Sequence, residues 1–261
     1  MHMSQAIKRV NIMDMLSESW RLVSGLKWLI FKRYMLTMLL VLVTVAISLL
    51  LFGAQVMTGF TGAKAIFSLL LFFEGIIGAY IWVSAIILGV RKAINMSLDI
   101  NQVKAECKSV QSGLLNIIVM YSAMATIIDL LVSLTPGHDM IVLLFHVSLY
   151  CVLFLFSLPL FIFALPLIII RKTNVSAGLE SAYRNMILYW KEIIGSYFIL
   201  LAIPYFVNMI GMIFLRQVHV GLFALIALML IVGMIWLLPM TFTLGGVLFR
   251  EVYGLKSAKA A

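Results

Sequence analysis

Six uninterrupted apolar stretches, each 20 residues or longer, run through this chain: Tyr34–Gly53, Ala65–Val90, Leu114–Leu134, Ile141–Ile170, Ile193–Leu215 and Gly221–Phe249. About 20 apolar residues in a helix cross the hydrocarbon core of a bilayer. Inside lipid only helices and closed barrels satisfy the backbone. A barrel strand is a segment of about ten residues that alternates in polarity, and these stretches do not alternate. The remaining sequence is too poor in charge to coat a soluble domain: 11% of residues are charged and 64% hydrophobic, with a mean hydropathy of +1.15, where a soluble domain carries about 25% charged residues. The expected fold is therefore all-α. It is a polytopic integral membrane protein, one membrane domain over 1–261, with six transmembrane helices.

The connections between these stretches alternate in charge. Residues 1–33 carry Lys8, Arg9, Arg21, Lys27, Lys32 and Arg33. The loop 91–113 carries Arg91, Lys92, Lys104 and Lys108, and the loop 171–192 carries Arg171, Lys172, Arg184 and Lys191. The tail carries Arg250, Lys256 and Lys259. Of the 19 basic residues, only Lys64 and Arg216 fall on the other side. Basic loops stay in the cytoplasm, which predicts a multi-pass membrane protein with both termini cytoplasmic. The net charge of +9 then reflects topology rather than nucleic-acid binding. Its expected counterparts are anionic lipid headgroups at the cytoplasmic face. The first 33 residues include Asp14 and Glu18 and lack a short apolar core with a small-residue cleavage site, so a retained N-terminus is expected.

Three polar segments at the basic side have helical periodicity, at about 12–32, 96–112 and 176–191. Ile12, Leu16, Trp20, Val23, Leu26 and Ile30 step by three or four, with Asp14, Ser17, Glu18 and Arg21 on the opposite face. Met96, Ile100, Val103, Cys107, Val110 and Leu114 keep the same step, as do Leu179, Ala182, Met186, Tyr189 and Ile193. One apolar stripe on a charged helix suits an interfacial helix on the cytoplasmic surface. It equally suits a connector packed against the protein's own spans. The unit of surface helix, span and span thus occurs three times. Ser24-Gly25-Leu26 recurs as Ser112-Gly113-Leu114, and the inward-going spans end on Arg91-Lys92, Arg171-Lys172 and Arg250-Glu251.

The stretch Phe163–Val207 reads FALPLIIIRKTNVSAGLESAYRNMILYWKEIIGSYFILLAIPYFV, and the last span closes with GGVLFREVYGL. With the N-terminal LSESWRLV, these segments resemble the bacterial YciC-type inner-membrane protein family. They are also similar to the membrane domain fused to some glycerophosphodiester phosphodiesterases. The resemblance implies a six-span inner-membrane protein. It does not carry the phosphodiesterase activity, because the catalytic domain of those fused proteins has no counterpart here.

Ionisable residues inside the membrane are costly and count as functional candidates. Three stand out: Glu74 in the second span, Asp129 in the third and His146 in the fourth. Asp129 lies eight residues before Gly137 and His146 eight after His138, so a hairpin turning between Gly137 and His138 places the two at one depth. A carboxylate there could fix or charge the imidazole. Glu74, about 15 Å along its helix from Lys64, falls in the same outer half. One reading is an outer polar binding site for protons or a small cation. The other is a set of hydrogen bonds joining helices, worth about 1 kcal/mol. Pro159, Pro166, Pro204 and Pro239 interrupt spans four to six. Cys107 and Cys151 sit at different depths and read as small apolar fillers.

No GxGxxG, P-loop, HExxH or CxxC motif occurs, and no metal-ligand spacing. The longest segment outside the apolar runs, 33 residues, is too short for a soluble catalytic domain. The expectation is a non-enzymatic protein of envelope organisation or maintenance, with no cofactor and no catalytic residue. A small secondary transporter or channel using Glu74, Asp129 and His146 is the alternative.

Overall fold

A computed structural model describes residues 11–52, 61–135, 140–200 and 220–254. All elements are helical, and no strand occurs among the described residues. In chain order they are α1 (Ile12–Leu22), α2 (Lys27–Phe52), α3 (Thr61–Ala93), α4 (Ile100–Ser109), α5 (Gln111–Leu134), α6 (Met140–Pro159), a π-helical turn (Leu160–Ala164), α7 (Leu165–Ile170), α8 (Val175–Leu188), α9 (190–200) and α10 (Val220–Tyr253). Four helical segments among the described residues are long and apolar enough to cross a membrane: Phe72–Ala93, Gln111–Val132, Met140–Ile170 and Ile235–Tyr253. These suit a multi-pass membrane protein. Pro204, Lys64's side chain, and the stretches around residues 53–60 and 201–219 of the first and fifth expected spans lie outside what is described.

The polar segments fold as short helices rather than as single long ones, and two of them carry side-chain caps. Asn11 caps α1 by accepting from the Met13 N–H at 3.1 Å, and Asp99 caps α4 through the Asn101 N–H at 2.8 Å. The expected helix over 12–32 breaks at Gly25, whose φ of +86° ends α1 in the left-handed region that glycine tolerates best. Its counterpart in the short repeat, Gly113, lies instead inside the first turn of α5 and faces Val175. Leu16, Val23, Leu26, Ile30, Val103, Cys107, Leu114, Ala182, Met186 and Ile193 from the three stripes are buried in the protein. Ile12, Ile100, Val110, Leu179 and Tyr189 are partly buried, while Met96 and Trp20 are exposed; Trp20 stacks on Trp236 at 5.3 Å between ring centroids. The stripes thus pack on the protein's own helices, as the connector reading expects.

The fourth expected span is continuous but not uniform. Pro159 and Pro166 flank the π turn, and the Leu165 N–H reaches the Leu160 carbonyl five residues back. Proline lacks an N–H and its ring crowds the carbonyl four residues earlier. Widening the helix by one residue relieves that conflict while keeping the rod intact.

At the centre, α3 and α10 cross in near backbone contact. A Cβ added at Gly246 would stand 2.5 Å from the Gly89 carbonyl oxygen, and one at Gly89 would strike the Phe242 carbonyl. Small residues permit such close approach where dispersion, not water exclusion, holds helices together. Trp82 of α3 stacks on Phe242 of α10 at 5.3 Å just beyond this crossing.

The candidate functional site: a central cavity and two polar clamps

A cavity of about 440 Å³ opens beside that crossing. One stripe of α3, Glu74, Gly78, Trp82 and Ile86, forms a wall, because residues four apart share a helix face. Tyr121 of α5, Ser157 of α6, Phe161 of the π turn, Tyr197 of α9 and Thr241 and Phe242 of α10 face it. Gly75, Gly78 and Gly245 make the room: only Thr37 Cγ2, at 4.0 Å, would meet a Cβ at Gly78. Tyr121 and Phe161 meet edge to face at 4.9 Å.

Four of the five hydroxyls in the described lining, all but that of Tyr121, have spent their protons. Thr37 donates to the Arg33 carbonyl at 3.0 Å, Ser157 to the Phe154 carbonyl at 2.8 Å, and Thr241 to the Leu238 carbonyl at 2.6 Å. Tyr197 donates to the Thr241 carbonyl at 3.1 Å. Only lone pairs of these oxygens remain for the cavity.

Of the three expected site residues, Glu74 lines the cavity and the other two lie elsewhere. Asp129 accepts a hydrogen bond from the Tyr150 hydroxyl at 2.9 Å. His146 Nε2 lies 2.8 Å from Thr135 Oγ1 and 3.1 Å from the Thr135 carbonyl. The expected Asp129–His146 pairing is not formed. Side chains lean toward the N-terminus of their own helix. In an antiparallel hairpin that sends His146 toward the turn, to Thr135, and Asp129 away from it, to a tyrosine one turn further along α6. His138, in the turn itself, lies outside the described residues.

The strongest polar constructions sit at the opposite end, where the sequence suggested only topology. Arg91, 2% exposed, donates to Glu106 Oε1 and Gln102 Oε1 at 2.7 Å each, to Ser97 Oγ at 2.9 Å and to the Ser97 carbonyl at 2.7 Å. This clamp holds α4 across the end of α3. Arg250 grips both carboxylate oxygens of Glu18, at 2.6 and 2.7 Å, and also donates to Glu251 Oε1 and the Ala93 carbonyl. That clamp holds α1 across the end of α10, and the Thr243 hydroxyl donates to the Ser19 carbonyl beside it at 3.0 Å. The Arg250 guanidinium donating to Glu18 holds its carboxyl below the usual range. Burial, with the Glu106 charge adding to it, pushes the Cys107 thiol up to about 11. Arg171 follows a looser version: it lies over the Tyr253 ring, whose hydroxyl contacts Ser181 and Asn185 of α8. Glu18 and Glu106 stand in register when the two Ser-Gly-Leu triplets are aligned, but that register names no partner for either.

Among the described residues no group of three or more His, Cys, Asp or Glu side chains is arranged to hold a metal ion. Comparison with protein-family models, with curated proteins and with solved structures finds no match to this chain.

Proposed function

We propose that this is a six-span protein of the bacterial inner membrane with both ends in the cytoplasm. Its role is non-enzymatic, in the organisation or maintenance of the envelope. The observation that carries this reading is the pinning of amphipathic helices across the span ends by Arg91–Glu106 and Arg250–Glu18. Such clamps favour a stiff platform over a moving gate. Arg21, Lys32, Lys104, Lys108, Arg184 and Lys191 remain exposed on this end, a spread of cations suited to anionic headgroups. The YciC-type resemblance supports the same class of protein.

The partners found for Asp129 and His146 favour structural hydrogen bonds over a transport site in the outer half. On this reading Asp129→Asn lowers the folded yield modestly and leaves proton or cation flux into liposomes at the background rate. Saturable flux in the wild type that disappears in Asp129→Asn would establish the transporter reading instead. Topology is tested by fusing each terminus to a reporter active only in the cytoplasm and to one active only outside it. Both termini should score as cytoplasmic. The envelope role is tested by deleting the gene and measuring outer-dye entry, which should rise and return to normal on complementation.

A further inference from the structure

We propose that the central cavity is a binding site for a lipophilic organic cation, a single positive charge carried on an apolar body, with Glu74 as its counter-charge. The cavity is mostly apolar, and its volume of about 440 Å³ lies within the range of small-molecule sites. Its described lining contains one carboxylate and no lysine or arginine. Among the described residues no donor and no cation is found on Glu74. A carboxylate among apolar groups is costly unless a positive partner reaches it.

The polar atoms around it decide the sign of that partner. Thr37, Ser157, Tyr197 and Thr241 all donate to backbone carbonyls, so their oxygens offer the cavity lone pairs rather than protons. The Tyr121 hydroxyl and the Trp82 indole N–H are the only donors in the described lining; against the Glu74 carboxylate and four acceptor oxygens an anion is disfavoured, and a cation meets complementary charge. Trp82, Tyr121, Phe161 and Phe242 add ring faces and edges, and aromatic faces attract cations further. The missing side chain at Gly78 leaves the wall open beside Glu74.

The sign of the charge is tested directly with two ions of nearly the same shape, tetraphenylphosphonium and tetraphenylborate. Each is titrated against the full chain in detergent by equilibrium dialysis, with empty micelles as baseline. The phosphonium should bind near one per chain and at least tenfold more tightly than the borate. Glu74→Gln should weaken phosphonium binding tenfold or more and narrow the gap between the two ions. Gly78→Leu, which keeps the carboxylate but fills the cavity, should abolish binding, so the test survives if the charge variant fails to fold. Equal binding of both ions, or phosphonium affinity unchanged in folded Glu74→Gln and Gly78→Leu, would overturn the proposal. A lipid ammonium headgroup has the same chemistry as a free amphiphilic amine. Displacement of the phosphonium by phosphatidylethanolamine but not by dodecylamine would assign the site to lipid, and the reverse to the free amine.

Discussion

Arg250 and Glu18 lie 232 residues apart in the chain and meet in a bidentate ion pair of 2.6 and 2.7 Å. The pair joins the last helix to the first amphipathic helix, as Arg91 and Glu106 join α3 to α4. In both, a guanidinium at the end of a long apolar helix captures a glutamate from a short polar one. Removing one member of such a pair leaves a poorly solvated charge, which costs more than the pair itself contributes.

Glu18→Gln should therefore destabilise the protein by about 2 kcal/mol, below the roughly 3–5 kcal/mol of a fully buried pair because Glu18 keeps partial access to water. Combining it with Arg250→Gln should recover part of that loss. Chemical unfolding of the detergent-solubilised single and double variants checks this through the double-mutant cycle.

The same pair sets an acid limit. The Glu18 carboxyl is held below its ordinary value of 4.5 in the folded state. A carboxylate with a lowered folded pKa contributes stability that is fully present above 4.5 and is lost as pH falls through the lower folded value. Thermal unfolding followed from pH 7 downward should show wild type losing stability below about pH 4.5. Glu18→Gln should be less stable at pH 7 and flatter in that acid window.

Arg91 is specified as arginine, not merely as a positive charge. Four separate acceptors surround its planar fork, and lysine cannot reach all of them. Arg91→Lys should cost about 3 kcal/mol, within the range for breaking a buried charge network. Exposed Lys104→Arg should change stability by less than about 0.5 kcal/mol.

The crossing of α3 and α10 is set by absent side chains. Gly89→Ala and Gly246→Ala press a methyl onto partner backbone, which cannot swing aside as a side chain would. Each should cost about 3 kcal/mol or more and cut the folded yield. Gly233→Ala, on α10 with nothing within 4 Å, should be neutral or gain up to about 1 kcal/mol from helix propensity. Size-exclusion profiles and melting curves of the three variants decide this.

The two thiols should part in a labelling experiment. Cys107 is buried beside Glu106 with its thiol pushed up to about 11, whereas Cys151 is exposed on α6. Thiolate is the reactive form, so Cys107 should resist a maleimide at pH 7.5 until the protein is unfolded. Cys151, inside the apolar stretch Met140–Ile170, should resist a charged maleimide in intact membranes and react ahead of Cys107 once the bilayer is replaced by detergent. Rapid labelling of native Cys107 would contradict its packing.

Chain composition and local periodicity determined that this protein is helical and apolar enough to span a membrane. They also picked out Val103, Cys107 and Leu114 as one inward face, because lipid solvation and the 3.6-residue helical repeat act on neighbours in the chain. The placement of polar partners was decided only by tertiary structure. Asp129 and His146 share a depth by residue count, yet opposite side-chain lean in the hairpin gives each a different partner. Arg91 and Arg250 look like topology markers until α4 and α1 fold over them. Glu74 reads as an isolated charge until glycines on α3 and α10, with a widened turn at Leu160–Ala164, leave a cavity in front of it. Contacts between residues distant in sequence depend on how rods pack and which side chains are missing, and no local pattern encodes that.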